Sequence, residues 1–428
     1  MTKQINKDTY ETYFSPCLAK STDLVIERAQ GAYIYTPDGE QYLDLVQGIA
    51  VNALGHSDPG VLAAAKGQID KIVHGSFNLV SFPSTLEMAS KLARVTPDGL
   101  DMFFLTNSGA EAVEGCMKLA RYVTGRTSYL AFKGGFHGRT MGAASITTSS
   151  VKFREHYAPF VPQVYFADYP YCYRCPYGCQ EASCSLECLA ALKENTKTII
   201  PADEIACAIF EPVMGEGGYV VPPKKYLVAL REFCDEHGIL LVFDEVQTGV
   251  GRTGRFFASQ HFGVTPDVMS MGKAVGGGFP LGIVVSTKEL MNRWSAGAHG
   301  TTFGGHPVAA AAAMEVIARV SAPGFLDRVG EMGEYFRAGL SKLQKKDSRI
   351  GDVRGVGLMN AMELVGEGKK PDAQLAGAIF NGLKERKILA LPCGPDKNVI
   401  RFIPPLNVEI ELLDHCLAVL EEVLDSLN

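Results

Sequence analysis

The sequence has no apolar run long enough to cross a membrane and no block of like charge, which sets aside membrane-spanning and polyanion-binding functions. Its 41 basic and 47 acidic side chains leave a formal charge of −6, so neither nucleic acid nor an anionic membrane surface is expected as a partner. The opening residues, Met1-Thr2-Lys3-Gln4-Ile5-Asn6-Lys7-Asp8, lack the apolar stretch of a signal peptide, and the cytoplasm is the expected compartment. A disulfide framework is not expected either. Eleven cysteines are an odd number, and five of them crowd between Cys172 and Cys188, a pattern that argues for thiols or a metal. What is present is an ordinary globular composition, 46% hydrophobic and 21% charged. At 428 residues the chain exceeds the roughly 250–300 residues at which single cores stop growing, so two domains are expected.

The chemistry concentrates between Ile239 and Gly278. Ile239-Leu240-Leu241-Val242-Phe243 is a short apolar run ending in Asp244-Glu245, as in a buried parallel strand. Open α/β sheets bind ligands at the carboxyl ends of their strands, so Asp244 is placed for chemistry. A second such segment, Pro266-Asp267-Val268-Met269-Ser270-Met271-Gly272, leads to Lys273 and then Gly276-Gly277-Gly278. A lysine in apolar sequence suits Schiff-base formation, because desolvation lowers its pKa and frees the neutral amine; a solvated surface lysine is the alternative. Nucleotide loops fit poorly. The glycine a phosphate-binding Gly-Lys loop needs is Asp267 here and its Ser or Thr is Ala274, while the later glycine run meets Phe279-Pro280 instead of opening a helix.

The segment Phe243-Asp244-Glu245-Val246-Gln247-Thr248-Gly249-Val250-Gly251-Arg252-Thr253-Gly254, followed by Ser270-Met271-Gly272-Lys273, resembles the signature of class III pyridoxal-phosphate aminotransferases. The resemblance extends over nearly the whole chain, apart from the cysteine cluster and the extreme N-terminus. It implies pyridoxal 5'-phosphate as cofactor and an α/β fold of the aspartate aminotransferase type (fold type I). A large domain over 58–322 would bind the cofactor, with a small α+β domain from 1–57 and 323–428. It also implies a homodimer, or a dimer of dimers, with shared active sites. Lys273 would carry the cofactor, Asp244 would hold the pyridine nitrogen protonated, and Val246 and Gln247 would lie alongside the ring.

Along the chain, Thr36-Pro37-Asp38-Gly39 between two strand-like runs predicts a hairpin. Ile49, a core residue on sequence alone, matches the family's segment at the active-site mouth. Met102-Phe103-Phe104-Leu105-Thr106 predicts a strand running into a helix, where Ser108 and Glu111 fit a capping box and the unpaired amides suit a phosphate. Helix capping alone also explains these residues. The resemblance assigns the phosphate to Ser108, Gly109 and Ala110. In Gly134-Gly135-Phe136-His137-Gly138-Arg139, Phe136 can cover a flat ring and Arg139 can clamp a carboxylate. The resemblance places Phe136 and His137 at the cofactor and Arg139 at the substrate. Glu211 and Glu216 are acid and base candidates or, equally, a strand-end hydrogen bond and a solvated charge. By resemblance Glu211 neighbours the cofactor, and Glu216 pairs with an arginine when an ω-amino substrate binds.

Pro307 and the alanine-rich run after it predict a helix. Just before it, Thr302 would reach the other subunit's cofactor phosphate; many family members have asparagine where this chain has His306. Arg401, a surface arginine on sequence alone, corresponds to the arginine that binds the α-carboxylate of the keto acid. Within the cysteine cluster, Cys172 and Cys175 have knuckle spacing and Cys184 and Cys188 would share a helix face, so zinc is one reading. Ordinary thiols and a local disulfide are together preferred, and no metal is expected at the catalytic site.

The expected activity is transfer of an amino group from a 4-aminobutyrate-like ω-amino acid to 2-oxoglutarate. Ornithine, acetylornithine or β-alanine as donor, and a racemase or epimerase on the same scaffold, are the alternatives.

Overall fold

The computed structural model describes residues 7–427. A seven-stranded sheet organises it. In chain order its strands are β1 (Met102–Thr106), β2 (Ser128–Phe132), β3 (Val164–Ala167), β4 (Ile205–Phe210), β5 (Leu240–Asp244), β6 (Val268–Met271) and β7 (Gly282–Ser286). Their spatial order is β1-β7-β6-β5-β4-β2-β3. β2, β4 and β7 are buried along their whole length, which is why their sequences read as continuous apolar runs.

The expected sheet of mostly parallel strands is present, with one departure. β7 runs antiparallel to both β6 and β1. The link from Met271 to Gly282 is too short for a parallel crossover, which needs about a dozen residues or more including a helix. It therefore reverses direction through the Lys273–Gly276 turn.

Helix α1 (Gly109–Thr124) packs on the sheet, starting at the Ser108 cap and ending at Gly125 in the left-handed conformation, φ 70°. Helix α2 (Lys224–His237) covers the sheet beside β5. Helices α3 (Pro307–Val320) and α4 (Phe325–Lys346) follow, α3 beginning at Pro307 as its sequence predicts. A second, antiparallel sheet contains β8 (Ile350–Val356), β9 (Met359–Leu364), β10 (Leu391–Cys393) and β11 (Val399–Phe402), in the order β8-β9-β11-β10. The predicted hairpin pairs Tyr33–Tyr35 with Gln41–Asp44, and Ile388–Leu389 joins the latter strand in parallel, so residues from both ends of the chain share one sheet.

One local expectation fails. Cys184 and Cys188 do not share a helix face, because the helix starts only at Glu187 and Leu186 before it is left-handed at φ 68°. Among the described residues no single helix is long and apolar enough to cross a membrane.

Candidate active site at the carboxyl ends of the parallel strands

Asp244 ends β5 and Lys273 follows β6, and both line one cavity of about 160 Å³. Asp244 is buried and held from three sides. Ser270 Oγ donates to its Oδ1 at 3.0 Å, the Val246 amide donates to the same oxygen at 3.1 Å, and His137 Nδ1 lies 2.7 Å from Oδ2. A carboxylate has roughly four lone-pair sites, so one is left over for a further donor from the cavity. Burial pulls the His137 imidazole toward its neutral form, but the hydrogen bond and charge of Asp244 outweigh it and leave the pKa raised. The His137 amide in turn donates to Thr147 Oγ1 at 2.9 Å, which fixes the loop.

Lys273 has a left-handed backbone, φ 47°, in the tight turn after β6, a costly conformation for a residue with a Cβ. Burial lowers its pKa to about 8, against the opposing pull of Asp244 and with help from the Arg401 charge. The turn is pressed onto the start of α1. A Cβ on Gly272 would lie 3.1 Å from Gly109 Cα, and one on Gly109 would lie 2.7 Å from Val246 Cγ1, so neither position has room for a side chain. The close approach brings the first residues of α1, Gly109 and Ala110, to the wall of the cavity that Lys273 lines. A helix start is an anion site, since its first amides lack intrahelical acceptors. Ser108 Oγ is spent on the Glu111 amide at 3.2 Å, and Ser108 is not among the cavity residues. The capping box is only half formed, because Glu111 Oε2 takes the Asn107 amide at 2.8 Å instead of reaching the cap residue's own.

Phe136, Val246 and Gln247 also line the cavity, and Gln247 Oε1 is buried without a partner. Glu211 is buried and accepts the Phe136 and Gly215 amides at 2.8 Å each, so it anchors the loops on either side of the cavity. Desolvation raises its pKa to about 7 despite the nearby imidazole. Glu216 is at the mouth, 2.8 Å from Arg401 Nη2. Arg401 is buried on β11, and its Nε and Nη1 have no partner.

Besides Ser108, which caps the helix, and Arg401, which reaches the cavity through Glu216, three expected residues are elsewhere. Arg139 is exposed, with its guanidinium 4.0 Å from the Phe153 ring centroid. Thr302 is exposed in the segment before α3 and does not touch the cavity of its own chain. Ile49 is not in the core, as its sequence alone suggested. It is 40% exposed, lines a different cavity with Asp44 and Phe380, and lies in a left-handed turn from Gln47 to Ala50 held by the Asp44 carboxylate. Sequence reasoning missed Ser270 and Thr147 and the pairing of His137 with Asp244. Only the hydroxyl just before Gly272-Lys273 offered a signal, and its meaning depends on a β5-to-β6 register that places Ser270 opposite Asp244.

The residues present fit pyridoxal 5'-phosphate. The start of a helix at Gly109 and Ala110 would hold its phosphate, the spare lone pair of Asp244 would take a cationic ring nitrogen, Gln247, whose Oε1 has no partner, would serve a ring hydroxyl, and the partly neutral Lys273 would take the aldehyde.

The profile of the class III aminotransferases matches residues 17–424. The chain is 38% identical to the 5-aminovalerate aminotransferase of Pseudomonas aeruginosa, covering 94% of each chain. It is 35% identical to a probable 4-aminobutyrate aminotransferase of Bacillus subtilis, covering 92% of this chain and 91% of that one. It is 41% identical to the acetylornithine aminotransferase of Methanosarcina mazei, covering 93% and 91%. Among solved structures, a PLP-bound amine transaminase from an uncultivated Pseudomonas species superposes with a TM-score of 0.91 at 31% identity, covering 97% of this chain and 98% of that one. With its lysine, its buried carboxylate and its helix-start anion site gathered at the ends of the parallel strands, the chain belongs to the class III aminotransferases and uses pyridoxal 5'-phosphate.

Proposed function

We propose that this enzyme moves the amino group of an ω-amino acid, of 4-aminobutyrate or 5-aminovalerate length, to 2-oxoglutarate. The observation that carries the reading is the Glu216–Arg401 pair. Arg401 is buried and presents two unsatisfied N–H donors, Nε and Nη1, which is the demand of a site that receives a carboxylate. Glu216 neutralises the third, Nη2, from a glycine-rich loop and is itself 29% exposed. With Glu216 in place the guanidinium charge is masked, and the amine-bearing end of an ω-amino acid has no carboxylate to put there. With Glu216 withdrawn, Arg401 takes the α-carboxylate of the keto acid in paired hydrogen bonds. One site thereby accepts two substrates that differ in where their charge lies.

When bound, pyridoxal phosphate supplies a sink for the electron pair left as the donor's amine-bearing carbon loses its proton. The amine of Lys273 is the covalent attachment point and then carries that proton as acid and base, a task suited by a pKa near 8. Asp244, fixed by His137 and Ser270, would meet the ring nitrogen with its carboxylate. Phe136 would cover one face of the ring, Glu211 holds the loops on either side of the cavity, and Gly109 and Ala110 would hold the phosphate with Ser108 as the helix cap. Arg139 and Ile49 belong to the outer part of the substrate path, and Thr302 to the phosphate site of a partner subunit. A homodimer is supported by exposed apolar side chains near that threonine, among them Leu79, 83% exposed, and Phe303, 57% exposed.

The test is a panel of single amino donors with and without 2-oxoglutarate. Acceptor-dependent glutamate from 4-aminobutyrate or 5-aminovalerate is expected. Glutamate formed only from α-amino donors would reject the ω-amino reading, and inversion of an amino acid without acceptor would identify a racemase.

A further inference from the structure

Away from the active site, the stretch from Cys172 to Cys188 holds only turns of three residues until the helix at Glu187 begins. It has little regular structure to fix it, yet it brings strong metal donors together. The Sγ atoms of Cys179 and Cys184 and a carboxylate oxygen of Glu187 all lie within 4.8 Å of one another. We propose that Cys179, Cys184 and Glu187 bind a structural zinc ion, with Cys175 as the fourth ligand.

The geometry is close to what the ion requires. Tetrahedral zinc, with Zn–S about 2.3 Å and Zn–O about 2.0–2.2 Å, sets its ligand atoms roughly 3.3–3.8 Å apart, a spacing small side-chain rotations reach from this cluster. Cys184 Sγ is 3.0 Å from Glu187 Oε2 already. Surrounding groups orient the donors as the outer shell of a metal site does. The Leu186 amide donates to Cys184 Sγ at 3.3 Å, and the Ser185 amide donates to Glu187 Oε2 at 3.1 Å. Both follow from the left-handed turn at Leu186, an uncommon conformation for a branched side chain. A second tight turn, closed by the Gly178 amide on the Cys175 carbonyl at 3.1 Å, leads directly into Cys179.

Charge points the same way. Three thiolates and a carboxylate around a divalent ion leave two negative charges. Lys225 brings an ammonium beside them by donating to the carbonyls of Glu181 and Cys184 at 3.2 and 2.5 Å. No disulfide is formed in the cluster, whose five cysteines are all free thiols. Zinc fits the mixed sulfur and oxygen set and has no redox chemistry to interfere with the thiols.

The ligand set differs from the one spacing suggested. Cys188 is buried in the apolar core on the helix, and Cys172 turns its thiol toward the Pro170 carbonyl. Neither belongs to the converging group.

Metal content decides the matter. Holoenzyme purified without chelator should carry about one zinc per chain by elemental analysis. A mercurial thiol reagent should release it to a chromogenic chelator. Cys184→Ser and Glu187→Ala should each fall below about a tenth of an equivalent, with cofactor absorbance kept, while Cys17→Ser, at an exposed site elsewhere, keeps its zinc. Should the variants not fold, wild-type protein titrated with zinc chloride against a competing chelator gives the stoichiometry directly. The proposal is overturned by wild-type protein holding less than a tenth of an equivalent after zinc loading and desalting, by iron in place of zinc, or by two fewer titratable thiols than the eleven the chain contains. Full zinc retention in Cys184→Ser overturns it equally.

Discussion

Asp244 shows how much a single residue's surroundings decide. Its carboxylate is buried against an imidazole and receives a hydroxyl and an amide, so it is oriented before any ligand arrives. Removing the charge leaves His137 without its partner and the cavity without its anion. Loss of one member of a buried charged pair costs roughly 3–5 kcal/mol, so Asp244→Asn is expected to lower kcat roughly 10²- to 10⁴-fold in steady-state assays. Lys273 gives a second prediction at this scale. Its pKa is lowered by burial to about 8, so the reactive neutral amine gains as pH rises through 8 and is scarce below 7. In cofactor-free enzyme, the rate of reconstitution followed by absorbance should rise with an apparent pKa near 8. A midpoint above 10 would mean an ordinary, solvated lysine. Both residues were legible in the sequence, because an acid or a lysine at the end of an apolar run has few structural uses. Ser270 was not, since its role depends on facing Asp244 across two strands whose register no motif records.

Elements carry the switching and the clamping. The Met214–Tyr219 loop is tied at its far end by Arg354 Nε to the Gly218 carbonyl at 2.8 Å, and by the Gly394 amide to the Glu216 carbonyl at 2.8 Å. Its backbone is thus anchored while the Glu216 side chain is free to leave Arg401. Replacing Glu216 by Ala should reduce kcat/KM for the ω-amino donor by roughly one to two orders of magnitude, since an unpaired arginine charge then faces the amine end. The half-reaction with glutamate should be retained. Equal losses in both half-reactions, measured by single-turnover absorbance, would indicate a structural role instead. Other parts of the signature segment serve the fold. Arg252 is buried and donates to the Leu358 and Pro404 carbonyls at 3.0 and 2.6 Å, and Glu245 accepts the Ala258 and Ser259 amides, which locks the loop after β5 in place. Strands, the hairpin and the Pro307 helix were readable because local pattern determines them. The reversal before β7 and the late helix start at Glu187 were not, because connection length and a single left-handed residue decided them.

At the scale of the molecule, the active site of one chain lacks what its family's resemblance assigns to Thr302. That residue is exposed and next to Phe303, and Asn78 Nδ2 donates to the Thr301 carbonyl at 3.0 Å, which brings exposed Leu79 and Val80 to the same segment. Soluble monomers rarely leave contiguous apolar patches of more than a few hundred Å² uncovered, so these side chains support the proposed homodimer, whose two-fold axis would present the same residues from both sides. The chain has a mass of 46.2 kDa, and sedimentation should give about twice that. Leu79→Glu places a charge in the middle of the patch and should shift the protein toward single chains, with cofactor retention falling in step. Thr302→Ala should leave the dimer intact and weaken cofactor retention alone, because it removes a hydroxyl and not the apolar contact. If wild-type protein sediments as a single chain and keeps full activity, the phosphate site is complete within one chain, and the shared arrangement is wrong.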